Sequence, residues 1–272
     1  MSDISLTSTD RASLLSLQRT SDVRNEAASR LATGLQVQSA TDNPVKFNES
    51  NAIRDRVNDL LNAKDSIGQG VSAIEASLDG LDALSNLNDQ LQGIARSALG
   101  GNEAQRQAAS QQFDRVREQF DALAADASFG GVSLLTSTAE QLSIQVNERG
   151  TTQDISGTAS DAASLGLGTA SGSFNNFGSD ADIRAALDQL DSVRSSLRTS
   201  AQGFGGDVAS LQARDSFNTQ LSNTLESGAQ NLVEADLNEE AARLLAADLR
   251  NDLGLNGLQI TQDSSELLTQ IL

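Results

Sequence analysis

The sequence predicts a mainly α-helical fold: an elongated coiled-coil helical rod with paired N- and C-terminal helices and a small β-hairpin insert. Three observations carry that expectation. An apolar seam runs through Ile53, Val57, Leu60, Lys64, Ile67, Val71, Ile74, Leu78 and Leu81 at alternating steps of four and three, which is coiled-coil spacing. Pro44 is the single proline in 272 residues, so little interrupts long helices. The apolar residues are mostly aliphatic, with eight Phe and no Trp or Tyr. Aliphatic layers suffice for the thin seam between helices, whereas a large globular core draws on bulky aromatics.

The elements follow in chain order. Residues 3–35 read as a helix with Leu14, Leu17, Ala28, Leu31 and Leu35 on one heptad seam. Ser21 and Arg24 interrupt it, so this helix is marginal alone and needs a partner. The stretch from Gly34 to Asn48 breaks the pattern, and Thr41-Asp-Asn-Pro-Val45 reads as a turn or extended segment. The strict seam then occupies a helix over 50–99, continuing through Leu84, Leu87, Leu91, Ile94 and Ala98. Its two consecutive steps of three predict local overwinding. About 50 helical residues span roughly 75 Å, which argues for an elongated molecule. Gly100-Gly101 ends that helix. A second run at 103–127 carries Ala109, Phe113, Val116, Phe120, Leu123 and Ala127, and the short connector implies an antiparallel pair.

Residues 129–179 change character. Leu142, Ile144 and Val146 alternate with polar residues as a half-buried strand does. Glu148 to Thr152 reads as a turn and Gln153 to Ser156 as a return strand. From Ser156 to Ser179 the chain is rich in Gly, Ser, Ala and Asn, which predicts an exposed loop. Helix resumes near Asp180 with Ile183, Leu187, Leu190, Val193 and Leu197, and continues through Phe204, Val208, Leu211, Leu221 and Leu225. The Gly205-Gly206 pair is expected to break it. A final helical region covers 232–272 with Leu237, Leu244, Leu249, Leu253, Leu258, Leu267 and Leu268 among its apolar residues; Gly254 and Gly257 are weak points or close-contact sites. Periodicity leaves two readings of the marginal ends open. They fray from a soluble bundle, or they pair with each other and with neighbouring copies.

Composition excludes several functions. The chain has no Cys and no His, which removes the thiol nucleophile, the commonest general base and the commonest metal ligand. No enzyme activity, metal or cofactor is expected. A net charge of −18 disfavours nucleic acid and anionic membranes. No run of 18 apolar residues marks a membrane span, and the N-terminus lacks the basic start and apolar stretch of a cleaved secretory signal. Asp236, Glu239 and Glu240 read as a solvated helix face near a helix start, where acids are favourable. Thr41-Asp42-Asn43 reads as a turn cap, because the Gly and bidentate Glu of a calcium loop are missing. Ser and Thr within 136–179 are candidate O-glycosylation sites if that face is outward.

Four ordered segments resemble bacterial flagellin. They are Ser29-Arg-Leu-Ala-Thr-Gly-Leu-Gln-Val-Gln-Ser-Ala-Thr-Asp-Asn-Pro44, Ala127-Ser-Phe-Gly-Gly-Val-Ser-Leu-Leu135, Asn231-Leu-Val-Glu-Ala-Asp-Leu237 and Leu253-Gly-Leu-Asn-Gly-Leu-Gln-Ile260. Within them Arg30, Leu31, Gly34, Ser39, Ala40, Asp42, Asn43, Asn231 and Asp236 carry the family motif. Gln36 stands where a cation is usual, Gly130 where Asn is usual, and the chain ends Gln270-Ile271-Leu272 without the family's terminal Arg.

The resemblance implies a division of the chain. Residues 1–40 with 232–272 form an inner polymerising coiled coil, with Leu14, Leu17, Leu31, Leu35, Leu237, Leu244, Leu253, Leu258, Leu267 and Leu268 as its core. Residues 41–135 with 180–231 form an outer helical rod, and 136–179 a small β-hairpin and flexible surface loop. It also implies a secreted, homopolymeric filament subunit for motility. Such a subunit passes through type III export without signal cleavage, served by an export chaperone and a filament cap protein. A hook–filament junction protein and a non-polymerising secreted coiled-coil binding protein are the alternatives; the segments from Asn231 to Ile260 favour the filament subunit. The stretch from Asn88 to Ala98 matches the part of many flagellins that the innate receptor Toll-like receptor 5 recognises, with Asp89 and Gly93 at positions usually held by Arg and Glu. Poor receptor recognition follows, and a reporter-cell dose response should show potency well below that of a typical enteric flagellin.

Overall fold

Helix formers at helical spacing dominate the chain, and five α-helices form among the described residues. The structure, a computed structural model, describes the backbone of residues 8–136 and 140–271 and the side chains of 11–136, 140–261 and 263. The helices are α1 (Ser8–Thr33), α2 (Pro44–Ala98), α3 (Glu103–Asp126), α4 (Asp180–Val233) and α5 (Leu237–Ile271). Two antiparallel hairpins lie between α3 and α4: β1 (Ser128–Phe129) with β2 (Val132–Ser133), and β3 (Gln141–Gln145) with β4 (Thr152–Ser156). The chain is therefore mainly α, its terminal helices α1 and α5 pack on each other, and a small β-hairpin is inserted. Two compact units form. One takes the residues up to Asp55 and from Thr224 onward; the other is Arg56–Asn223.

Helix ends follow local chemistry. Residues 3–7 of the expected first helix lie outside the described residues. Helix α2 begins at Pro44, six residues before its heptad seam gains strength. Asn43 Oδ1 accepts from the Lys46 N–H at 3.0 Å, and proline fits a first helical position, where its missing N–H costs nothing. Gly100, with φ +71, lets the chain turn out of α2 as the sequence predicts. Asn102 and Gln105 then form a reciprocal capping box at the start of α3. The expected break at Gly205-Gly206 does not occur, because α4 runs through it. Interior glycines cost a helix about 1 kcal/mol each, and here the buried neighbours Phe204 and Leu211 hold the segment helical.

The core of the Arg56–Asn223 unit gathers one face from each element. Ile67, Ile74, Leu81, Leu84 and Leu91 of α2 meet Phe113, Val116 and Phe120 of α3 and Ile183, Leu190, Val193 and Leu197 of α4. Of the predicted seam, Val57, Leu60, Ile67, Ile74 and Leu81 are buried, and Ile53, Val71 and Leu78 half-buried. The β3–β4 hairpin pairs Leu142 with Ile155 and Ile144 with Gln153, and sends Ile144 and Ile155 into this core. It can approach because α2 presents Gly70, where an added Cβ would lie 2.3 Å from Ile144 Cδ1. Gly68, two residues away and so on roughly the opposite side of α2, has open space.

The segment after β4 is not the exposed loop that its composition suggests. Ala162, Leu167, Ala170, Phe174 and Phe177 are buried. A ladder of α3 side chains at helical spacing holds its backbone. Asp121 Oδ1 accepts from the Ala162 N–H at 2.8 Å, Arg117 Nε donates to the Leu167 carbonyl at 2.9 Å, and Asp114 accepts from the Ala170 and Ser171 N–H groups at 2.6 and 3.2 Å. Arg106 reaches the Gly178 carbonyl at 3.0 Å and Asp180 at 2.6 Å. Phe177 packs edge-on against Phe113 with centroids 5.4 Å apart. This anchoring supports three successive left-handed residues, Asn175, Asn176 and Phe177, at φ 45, 53 and 59, a conformation costing roughly 1–2 kcal/mol per residue. Gly, Ser and Ala suit the segment because little side chain separates its backbone from α3.

Gly68 and Gly70 of α2 should respond oppositely to the same change. Gly68→Ala should stabilise by about 0.5–1 kcal/mol through helix propensity alone. Gly70→Ala should destabilise by about 1–3 kcal/mol, since Ile144 must move. Denaturant titration of the two variants checks the opposite signs.

Candidate assembly interface

Three of the four motif segments, 29–44, 231–237 and 253–260, lie in the unit that holds both chain ends. Helix α1 closes at Gly34, whose φ of +72 suits a left-handed C-cap and whose N–H bonds the Arg30 carbonyl at 2.8 Å. The chain then runs antiparallel to the α4–α5 connector, with Leu35 bridging Glu234. The Val233 carbonyl accepts from Gln36 and Val37, at 2.7 and 3.2 Å, and the Gly34 carbonyl from Ala235 at 2.9 Å. Ser50 Oγ adds a bond to the Ala229 carbonyl at 3.1 Å. Backbone groups that two marginal helices would leave unpaired are thus satisfied at one joint.

Short polar side chains set the turns around this joint. Asp42 Oδ2 accepts from the N–H groups of Ser39 and Gln38, at 2.9 and 3.0 Å, and from Ser39 Oγ at 3.1 Å. The Ser39 N–H foremost, then the Gln38 N–H and the Ser39 hydroxyl, hold the Asp42 carboxyl below the ordinary carboxylate range. Asp236 Oδ1 caps α5 through the N–H groups of Asn238 and Glu239, at 2.9 and 3.2 Å. Both roles fit residues that bond their own backbone. Ala40 and Asn231 are exposed, and Leu31 is half-buried.

The terminal helices are joined by charge as well as by apolar contact. Arg30 Nη1 donates to Glu240 Oε1 at 3.1 Å and Arg243 Nη1 donates to the same oxygen at 3.2 Å. Glu240 is 3% exposed, which corrects the expectation of a solvated acidic face: Asp236 and Glu239 are exposed, but Glu240 is buried between two arginines. Arg24 and Asp248 add a pair at 2.6 Å. Ala27, Val37, Ala235 and Ala247 are buried, while Ala28 is exposed. A strict seven-residue repeat drifts around a 3.6-residue helix, so the contact face of α1 keeps Leu17 and Leu31 of the predicted seam but takes Ala27 in place of Ala28. Gly254 lets α5 approach Leu17, since an added Cβ would lie 2.7 Å from Leu17 Cδ2.

The expected polymerisation residues divide into two sets. Leu17, Leu31, Leu35, Leu244 and Leu258 are half-buried. Leu14, Leu237 and Leu253 point outward, at 40%, 50% and 62% exposure. Leu267 and Leu268 have side chains outside the described residues. The outward set extends to Leu245 and Leu249, neither of which is among the expected polymerisation residues. A count of both faces of α5, rather than one seam, would have flagged them. Among the described residues no three Asp or Glu converge as a metal site needs, and no described helix is long and apolar enough to cross a membrane.

The sequence and the fold both resemble those of known proteins. The family profile described as the bacterial flagellin N-terminal helical region matches residues 4–140. Flagellin FljO of Caulobacter vibrioides is 27% identical over 97% of each chain. A flagellin of Brucella melitensis is 22% identical, covering 100% of this chain and 99% of its own. The fold resembles the crystal structure of Bacillus cereus flagellin, with a TM-score of 0.50 and 18% identity over 56% of this chain and 88% of that one. It also resembles a putative flagellar hook-associated protein from Vibrio parahaemolyticus, with a TM-score of 0.61 and 13% identity over 71% of this chain and 100% of that one. With its N-terminal half matched by the family profile and its relatives aligned end to end, the chain belongs to the bacterial flagellin family.

Proposed function

We infer that this chain assembles by burying the outward faces of its joined terminal helices against other copies. As a flagellin it is a structural subunit of the bacterial flagellar filament. The observation that carries the assembly route is the outer stripe of α5. Leu245, Leu249 and Leu253 are 72%, 60% and 62% exposed. At about 100° per residue they lie opposite the face that carries Glu240, Leu244, Ala247 and Leu258. Helix α1 adds Leu14, Leu15 and Val23, each at least 40% exposed. An exposed apolar stripe of this kind on α5 marks an interaction site, and its burial contributes about 25 cal/mol per Å² before ordering costs.

The subunit acts as a scaffold rather than as an enzyme. Monomers hold the terminal helices weakly, which favours passage through a narrow export channel without signal cleavage. An export chaperone covers the α5 stripe until then, and a cap protein guides insertion. The inner coiled coil comprises residues 1–40 with 232–272, and the remainder faces outward. Asp89 is engaged by Arg194 at 2.6 Å and Gly93 offers no side chain, which supports weak recognition by the innate receptor.

Circular dichroism should show more helix in the polymer than in the monomer; equal helicity would count against coupled folding and assembly. With a net charge of −18, polymerisation should strengthen with salt as the Debye length falls to about 8 Å near 0.15 M. Leu249→Asp should raise the critical concentration at least about tenfold, read by sedimentation. Arg30→Ala leaves Glu240 with one partner and should destabilise the joint by about 3 kcal/mol, seen as earlier loss of helix on heating.

A further inference from the structure

One hollow in the Arg56–Asn223 unit gathers the groups of a small-molecule site. It has a volume of about 150 Å³ and lies where the tip of the β3–β4 hairpin meets α4. Arg149 lines it from the hairpin, and Arg214 and Phe217 from one face of α4, three residues apart. Buried Leu60 of α2 adds an apolar wall. Phe217 is 55% exposed, and both arginines are exposed. Neither arginine has an ion pair among the described residues. Two guanidinium groups that converge on one concavity repel each other, and an anion between them removes that cost.

The hollow is held in shape before anything enters it. Asn218 is 1% exposed, and its Nδ2 donates to the Val146 carbonyl at 3.1 Å. The Gln145 N–H donates to Ser66 Oγ of α2 at 3.0 Å. Asn147 Oδ1 closes the turn by accepting from the N–H groups of Arg149 and Thr151, each at 3.0 Å. The hairpin tip is thus pinned to both helices, and little backbone ordering is left to oppose binding. Glu148 also lines the hollow. Arg56 Nε and Nη2 both donate to its Oε1, at 3.2 and 2.7 Å, which matches its charge and keeps Oε2 outside that pair. A carboxylate in the wall disfavours clustered anions and suits a ligand with hydroxyls to donate.

We propose that this hollow binds an acidic sugar. The sugar carboxylate sits between Arg149 and Arg214, whose planar forks match its geometry. Ring hydroxyls donate to Glu148, and an apolar C–H face of the ring covers Phe217. Each group in the hollow then has a use, and no simpler ligand uses all of them. A neutral sugar lacks the anion, inorganic phosphate lacks the apolar face, and an acidic peptide brings carboxylates without hydroxyls for Glu148. The site lies apart from the terminal helices and does not depend on how copies assemble.

Saturation-transfer NMR on the full-length chain tests this, with trigalacturonate as the probe and maltotriose, inorganic phosphate and triglutamate as comparisons. Trigalacturonate should bind saturably, with the strongest transfer to its ring C–H protons. The three comparisons should bind at least about tenfold more weakly. Arg149→Gln, Arg214→Gln and Phe217→Ala should each weaken trigalacturonate binding at least about tenfold, as loss of a charge-assisted hydrogen bond or an aromatic anchor does. Arg184→Gln removes an exposed cation elsewhere on α4 and should change nothing. All four altered side chains are exposed, so helicity and melting should stay those of the parent chain. The ligand comparison on the unaltered chain stands whatever the variants do. The proposal is overturned by no saturable binding, by phosphate or triglutamate binding as tightly as trigalacturonate, or by Arg184→Gln costing as much as Arg214→Gln.

Discussion

Everything at the two ends of the chain depends on one buried carboxylate. Glu240 has left water and lies within hydrogen-bonding reach of Arg30 and Arg243. Arg30 is 210 residues away in sequence. A buried ion pair of this kind adds little net stability, because desolvation offsets most of the Coulomb gain. Its effect is selection: a mispaired register would leave a charge buried and alone. The backbone exchange between residues 34–37 and 233–235 then follows from that register. Two helices with weak seams are thus brought to one defined pairing, and their remaining apolar residues are left facing out.

The second unit solves a different problem with similar means. Its apolar seam builds the core, yet the seam says nothing about the non-helical segment that must cover α3. There the polar face of α3 takes over. Asp114, Arg117 and Asp121 bind backbone groups of 162–171, and Arg106 binds the Gly178 carbonyl. The aromatic trio of Phe113, Phe174 and Phe177 closes the arrangement. Small residues in the segment and Gly70 on α2 serve the same end, because both let backbone and side chain approach where a larger residue would intrude.

These features bear on the filament through the division of each terminal helix into two faces. The inner face is used up in joining α1 to α5. The outer face of α5 remains apolar, so the joined ends present surface that water disfavours. A subunit arranged in this way is stable enough to keep its register and incomplete enough to need neighbours.

The sequence by itself determined the helices, their order, the strand pair and the family, because periodicity, capping residues and turn motifs are local signals. It located Arg30, Gly34, Asp42, Asn43 and Asp236 as motif residues, but their geometry was not legible. The pairing of Glu240 with Arg30 joins positions with no common period, and the burial of 162–177 rests on α3 side chains tens of residues upstream. Ala27 rather than Ala28 faces the partner helix because helical drift depends on how straight α1 is. Only the tertiary structure decided which acid is buried, which leucines face out and which glycines are contacts rather than breaks. Each of those depends on what lies across the interface, and a single chain position carries no record of its neighbour.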